Sequence, residues 1–209
     1  MQLYSYFRST ASYRVRIALA LKGLPYQTIG IHLVKGKQRE TEFVSINPQS
    51  RVPALKLDSG EVLVQSLAIL DYLDETHPEP PFLPRDPIER ARVRAVAQVI
   101  ASDIHPLGNP GPRNYIEKKL GLGAEAAEDW IRHWITDGFG AIERWIKPGP
   151  FAFGAAPTLA DICLVPQVFA AKRFKTDLSK FPKLVAADEA ARAHPAFAAA
   201  APEKQPDAE

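Results

Sequence analysis

The sequence predicts an α/β domain over residues 1–80 and an all-helical domain over 88–209, with 81–87 as the connection. Three observations carry this. Strand and helix signals alternate through the first part of the chain. Prolines at 78, 80, 81, 84 and 87 then interrupt it, and so dense a run neither continues a helix nor joins a sheet centrally. Beyond them only helical periodicity persists.

Leu3–Phe7 is an aromatic-rich strand candidate. From Ser12 onward Val15, Ala18 and Leu19 recur at helical spacing, with Arg14, Arg16 and Lys22 between or opposite, the pattern of an amphipathic helix. Gly23 and Pro25 stop it. Tyr26–Leu33 alternates as a second strand, and a weak helix follows around Glu40–Ile46. Ala54–Leu57 and Val62–Val64 flank Asp58-Ser59-Gly60-Glu61, a hairpin signal. Ser66–Glu75 reads as a helix with Ser66 as its N-cap. The order β-α-β, α, β-β, α requires one parallel crossover and adds an antiparallel hairpin to the same sheet. That is a thioredoxin-like arrangement. In the second half, Ile88–Ile104, Ala124–Ile146, Thr158–Phe174 and Phe181–Ala193 read as helices, and the polar tail from Ala201 to Glu209 as frayed.

Composition removes several functional classes. Apolar residues make up 46% and charged residues 24% of the 209, so wholesale disorder is not expected. A net charge of +2 gives no reason to propose nucleic acid or a membrane as partner. The single cysteine, Cys163, excludes an intrachain disulfide framework and a cysteine-based zinc cluster, so no metal is expected. It lies within a predicted helix and reads as a small core residue. The N-terminal residues have neither a basic region nor an apolar stretch of the signal-peptide kind. The expected location is the cytoplasm.

Three features of the first domain converge on one chemistry. The turn after the first strand puts the hydroxyls of Ser9, Thr10 and Ser12 at a helix N-terminus, where backbone N–H groups and the helix dipole favour an anion. Val52-Pro53 precedes the third strand and leaves neighbouring backbone groups for a ligand instead of a ladder partner. Gln65-Ser66 closes the fourth strand and opens a helix, a second N-terminal site suited to a carboxylate. Each alone is ordinary capping or turn chemistry; together they describe a sheet edge that takes a peptide-like ligand with a reactive anion. In the second domain, Thr158 and Asp161 read as a capping box, with Asp in place of Glu.

The run from Arg8 to Leu19, Arg-Ser-Thr-Ala-Ser-Tyr-Arg-Val-Arg-Ile-Ala-Leu, resembles the N-terminal signature of the zeta-class glutathione transferases. Asn47-Pro48-Gln49, Val52-Pro53-Ala54-Leu55, Gln65 to Ile69, Ser102 to Pro106 and Pro157 to Asp161 are similar to that family's later blocks, so the resemblance spans nearly the whole chain. It implies the glutathione-transferase architecture, a homodimer, glutathione as cofactor, and cis–trans isomerisation of a maleyl-type keto acid, maleylpyruvate or maleylacetoacetate. Asp103 to Pro106, Val165-Pro166-Gln167 and Lys172-Arg173-Phe174 resemble the bacterial isomerases most.

By the same resemblance, Ser9 stabilises the glutathione thiolate with Thr10 in support. Val52 pairs with the cysteinyl backbone, Pro53 is a cis proline, and Gln65 and Ser66 hold the γ-glutamyl end. Gln38, His105 and Asn109 also contact glutathione, while Arg8 and Arg173 bind the substrate's carboxylate and keto oxygens. Two departures stand out. Ala11 occupies a position where the signature usually has cysteine, so the chain supplies no thiol there. Leu107 to Arg113 carries two prolines and two glycines where relatives continue as a helix, which alters the expected wall of the substrate pocket and offers Arg113 to it. Two other functions fit the same residues: a transferase that conjugates or dehalogenates small electrophiles such as α-halo acids, and a non-catalytic binding module. Retention of Ser9, Val52-Pro53 and Gln65-Ser66 together weighs against the last.

Overall fold

The computed structural model describes residues 1–209, which divide into two compact units. One comprises Met1–Pro81 together with His194–Glu209, and the other Phe82–Ala193. The expected partition differs at two places. Phe82 and Leu83, expected in the connection, are buried, and the Phe82 carbonyl accepts the Leu159 N–H at 2.8 Å within the second unit. The C-terminal segment, expected to fray with the helical domain, packs in the first unit.

In the first unit a four-stranded sheet has the order β2-β1-β3-β4. Its strands are β1 (Gln2–Ser5), β2 (Gln27–Gly30), β3 (Ala54–Lys56) and β4 (Val62–Val64). β1 pairs with β2 in parallel and with β3 antiparallel, and β3 pairs with β4 antiparallel. β1 is shorter than its aromatic run predicts because the carbonyls of Tyr6 and Phe7 leave the ladder: they accept hydrogen bonds from Ser9 and Arg16. β2 ends with its partner, its last bond being Ile31 N–H to the Ser5 carbonyl at 2.7 Å.

Alternation in β1 sends Leu3 and Ser5 into the core on the face where the Ser5 hydroxyl meets Arg16. Tyr4 lies on the other face, where its ring sits 5.9 Å from that of Phe43 in α2 (Thr41–Ile46). Tyr6, Phe7, Phe43 and Val52 form a buried cluster there. The first face is covered by α1 (Thr10–Leu21), which packs against α3 (Ser66–Thr76) and the C-terminal α9 (Pro195–Ala200). Val15, Ile17, Leu19, Ile69, Leu70 and Leu73 are fully buried between them; each such side chain stabilises the fold by roughly 1.5–3 kcal/mol.

Cover on several sides explains why α1 is not the amphipathic helix expected. Arg14 and Arg16, placed by periodicity between or opposite the apolar positions, are 1% and 0% exposed. The tail is also tied down: Pro202 and Gln205 are buried, and the Gln205 amide donates to the carbonyls of Ala199 and Ala201.

The second unit is helical. α4 (Pro87–Gln98) starts where Asp86 accepts the N–H groups of Ile88 and Glu89, with Pro87 already at a helical φ. It widens into a π-helical segment, Val99–Ile104, and tightens into a 3₁₀ turn, His105–Gly108. α5 (Pro110–Asn114) and a second π segment, Tyr115–Lys119, precede α6 (Gly123–Trp145), α7 (Leu159–Arg173) and α8 (Pro182–Ala193). The expected capping box is formed: Asp161 accepts from the Thr158 N–H at 2.8 Å and hydroxyl at 2.9 Å, and from the Ala152 N–H at 2.7 Å. Cys163 is fully buried in α7, as expected from its place in a predicted helix. No helix is long and apolar enough to cross a membrane.

Candidate active site

Strand register places the three features of the first unit at one edge. Tyr4 pairs with Ala54, and Ala54 with Val64. The chain therefore leaves β1 toward Ser9, enters β3 from Val52-Pro53, and leaves β4 at Gln65, all from the same end of the sheet. β2 runs parallel to β1, so the segment carrying Gln38 departs from that end too.

Ser9 caps α1, with its Oγ accepting the Ser12 N–H at 3.2 Å. Because the oxygen is the acceptor in that contact, its hydroxyl hydrogen remains to donate to an anion. The turn is closed by the Ser9 N–H donating to the Tyr6 carbonyl at 2.9 Å. Thr10 and Ser12 are buried behind it, and the Ser12 hydroxyl has no hydrogen-bond partner within the chain. Arg8, just before the cap, is held in a set direction: its guanidinium donates to the Tyr6 hydroxyl at 2.8 Å and lies 5.0 Å from the Phe7 ring centroid. Its side chain is 39% exposed, and Glu209 approaches it at 4.0 Å.

Val52-Pro53 is a cis peptide, and Val52 lies one step beyond Ala54–Pro53, outside the ladder that begins at Ala54. The approach to it is fixed by Asn47, buried, whose amide donates to the Arg51 carbonyl at 2.7 Å and whose oxygen accepts the Gln49 N–H at 3.0 Å. At the start of α3 the N-cap is Gln65 rather than the expected Ser66, and no side chain caps the first turn. Gln65 adopts φ 68° and ψ 117°, a region that L-residues occupy only under constraint, and its amide donates to Gln49 at 2.8 Å. Ser66 is buried, with its Oγ accepting from Arg14 at 3.2 Å. A carboxylate at this helix start would meet free N–H groups, a hydroxyl proton and a nearby guanidinium.

Gln38 lies in a 3₁₀ turn, Lys37–Arg39, and its Oε1 is buried without a hydrogen-bond partner in the chain. The orphaned acceptor at Gln38, the unpartnered Ser12 hydroxyl and the uncapped α3 suit a ligand that brings amide donors, a thiol and a carboxylate, the inventory of a γ-glutamyl tripeptide.

The second unit holds the other expected residues. His105 opens the 3₁₀ turn and Asn109 ends it, where Asn109 is also the N-terminal flank of α5. The indole of Trp130 donates to the Leu107 carbonyl within this turn at 3.1 Å. Arg113 is half-buried, with Glu117 and Glu128 each at 4.0 Å. Arg173 ends α7, exposed, its guanidinium 4.6 Å from the Phe174 ring centroid.

Sequence reasoning missed several residues that shape the site. Arg16 is the most buried charge beneath it, and burial lowers its pKa to about 10, which still leaves it charged at neutral pH. The signal for it is a charged residue between Val15 and Ile17 in a helix apolar on both sides. His32, 2.6 Å from Glu209, and Asp207, which accepts the Phe7 N–H at 2.9 Å, lie in segments whose local sequence carries no such signal.

Fold and site together define a protein that binds glutathione on a thioredoxin-like domain. Residues 1–75 match the N-terminal domain model of glutathione S-transferases. The chain is 47% identical over 209 residues to a maleylacetoacetate isomerase of Pseudomonas aeruginosa, covering 99% of this chain and 98% of the relative. A holo structure of a maleylpyruvate isomerase, described as a bacterial zeta-class transferase, superposes with a TM-score of 0.97 at 44% identity, covering all of both chains. A maleylacetoacetate isomerase from Methylobacterium extorquens with bound malonate and glutathione gives 0.96 at 39% identity, again over all of both chains. The chain belongs to the zeta-class glutathione transferases, the family of the maleylacetoacetate and maleylpyruvate isomerases. Its cofactor is glutathione.

Proposed function

We propose that the protein is a glutathione-dependent isomerase that converts a maleyl-type keto acid, maleylpyruvate or maleylacetoacetate, into its fumaryl isomer. The observation that carries this is the juxtaposition at the α1 start of a capping serine with a donor hydrogen to spare and an oriented, partly exposed arginine one residue before it.

Bound glutathione supplies a thiolate that adds reversibly to a carbon–carbon double bond. Ser9 and the first turn of α1 hold that sulfur ionised. A free thiol with a pKa of about 8.5 must fall roughly two units, about 2.7 kcal/mol. A charge-assisted hydrogen bond supplies about 1.5–3 kcal/mol and a helix N-terminus about 0.3–1 kcal/mol. Thr10 and Ser12 support the turn. Val52 pairs with the cysteinyl backbone beside cis Pro53, Gln65 and Ser66 take the γ-glutamyl carboxylate, and Gln38 accepts a ligand N–H. On the family pattern, His105 and Asn109 add contacts to glutathione.

On the family pattern, Arg8 and Arg173 together bind the substrate's carboxylate and keto oxygens. As electrons leave the double bond, negative charge develops on the keto oxygen, and the guanidinium donors stabilise it. Rotation about the resulting single bond and return of the electrons give the trans product. No protein base is required. Arg113 is engaged by two glutamates and is not assigned to the substrate. The reading extends, on family resemblance, to a cytoplasmic homodimer acting in the breakdown of aromatic compounds.

Parallel assays of the purified protein on maleylpyruvate, maleylacetoacetate and a 2-halo acid test the reading. Isomerisation of a maleyl substrate should exceed halide release by orders of magnitude. The reverse ranking would make the protein a dehalogenating transferase.

A further inference from the structure

Phe7 is gripped at both of its backbone polar groups. Its N–H donates to Asp207 Oδ2 at 2.9 Å, and its carbonyl accepts from the Arg16 guanidinium at 3.0 Å. The next two residues in the chain are Arg8 and Ser9. We propose that Arg16 and Asp207 are positioning residues that clamp the Phe7 peptide and thereby aim the Arg8 and Ser9 side chains. This rests on the site assignment above.

Arg16 has the contacts of a clamp. Its Nε donates to the Ala200 carbonyl at 3.0 Å, and one terminal nitrogen donates to the Ser5 hydroxyl at 3.2 Å and the Tyr6 carbonyl at 3.5 Å. The other takes the Phe7 carbonyl. Every acceptor is neutral, and three of the four lie on the three residues that lead into the turn. The planar fork of an arginine can satisfy several acceptors at fixed angles, which a lysine cannot. Burial pushes the Arg16 pKa down, the mark of a group whose charge is costly to hold there. An apolar side chain of similar volume would pack without that cost and would remove the Arg16 donors from the Ser5 hydroxyl and the Phe7 carbonyl, leaving the Tyr6 carbonyl only its bond from the Ser9 N–H.

Asp207 reaches the turn from the far end of the chain. A β-carbon placed on Gly30 would lie 3.5 Å from the Asp207 β-carbon, which sets the carboxylate beside the end of β2. The same tail joins Arg16 through Ala200, so the C-terminal segment holds both jaws. The two amide planes that meet at the Phe7 Cα are therefore each held, the Tyr6–Phe7 plane by Asp207 and the Phe7–Arg8 plane by Arg16, and neither pivots without breaking its bond. Preorganisation of this kind matters because a displacement of about 1 Å in a reacting group can lower a rate by roughly a hundredfold.

The full-length protein carrying Asp207→Ala, Asp207→Asn or Arg16→Lys tests the clamp, each variant checked for a cooperative melt. Amide hydrogen exchange at Phe7 and Ser9 is read without ligand. Ultraviolet thiolate absorbance against pH is read with glutathione alone, and kcat and KM with a maleyl substrate. Asp207→Ala should speed exchange at these amides roughly tenfold or more. It should raise the pH midpoint of thiolate formation and lower kcat by roughly ten- to a hundredfold. KM for glutathione, set by Val52, Gln65 and Ser66, should change less than about threefold. Asp207→Asn keeps an acceptor and should recover most of the loss. Arg16→Lys, where it folds, should depress kcat although the charge is kept.

Wild-type exchange, midpoint and kcat in folded Asp207→Ala would overturn the proposal, as would an Asn variant as impaired as the Ala variant, which would make charge the cause. If the wild type forms the thiolate but isomerises nothing, the isomerase reading fails, and the clamp is still decided by exchange and absorbance.

Discussion

The Oγ of Ser9 accepts the N–H of Ser12 at 3.2 Å, so the serine that caps α1 keeps its own hydroxyl hydrogen for a ligand. Ser9→Ala removes both functions. Loss of the cap should cost about 1 kcal/mol of stability. Loss of the charge-assisted donor should raise the bound thiol's pKa by one to two units and lower kcat/KM at neutral pH by roughly ten- to a hundredfold. Thermal melts and thiolate absorbance read the two separately.

Arg8 is oriented before substrate arrives, through Tyr6 and the Phe7 ring. Arg8→Ala should lower kcat/KM for isomerisation by roughly 10²–10³-fold, the scale of losing an oxyanion donor, with glutathione binding nearly unchanged. Arg173→Ala should act in the same direction. Tyr6→Phe, which deletes only the hydroxyl, should give a smaller loss, roughly fivefold, seen in substrate KM. Isomerisation at the wild-type rate by both arginine variants would remove them from the site.

Gln65 combines a strained backbone with a proposed role in holding the γ-glutamyl end of glutathione. Gln65→Gly should relieve a cost of about 1–3 kcal/mol, offset in part by about 0.5–1 kcal/mol of chain entropy. Stability should therefore hold or rise while glutathione affinity falls roughly tenfold. Calorimetric titration and chemical denaturation would show the two changes moving in opposite directions.

Much of this was legible in the sequence, and the limits have physical causes. The succession of strands and helices, the parallel crossover and the antiparallel hairpin, and the three segments of the candidate site follow from short-range signals: a capping serine, Val52-Pro53, and a hairpin that returns Gln65 to the same end of the sheet. The two buried arginines of α1 were misread because periodicity reports one face of a helix, and here α3 and α9 bury others. The five-residue α5 and six-residue α9 are too short to show periodicity at all. Asp207 looks like part of a polar tail until the fold brings it to Phe7, a contact across 200 positions.

Gly138 in α6 packs against the Ile104 side chain so closely that an added β-carbon would overlap it. Ile104 immediately precedes His105. Gly138→Ala should destabilise the protein by about 1–3 kcal/mol through overpacking, and by shifting the start of the 3₁₀ turn it should also weaken glutathione binding if His105 contacts that ligand. A melt together with a binding isotherm checks both.

Asp161 is fully buried, and desolvation raises its pKa above the usual 3.8 despite three hydrogen bonds. A carboxyl whose folded pKa is raised adds stability below its unfolded pKa and loses it as pH rises through the folded value. Relative to Asp161→Asn, the wild type should therefore gain stability as pH falls toward about 4. Asp161→Ala, which strands the Ala152 and Thr158 N–H groups, should cost about 3 kcal/mol at neutral pH. Denaturation curves across this range measure both.

The central claim is that glutathione acts as a catalyst's cofactor and is returned. The most direct measurement counts fumaryl product formed per glutathione added, with purified protein and excess maleylpyruvate or maleylacetoacetate. The account predicts many products per glutathione, all free thiol recovered at the end, and no reaction when glutathione is left out. Product limited to one equivalent, with the thiol consumed as a stable conjugate, would contradict it.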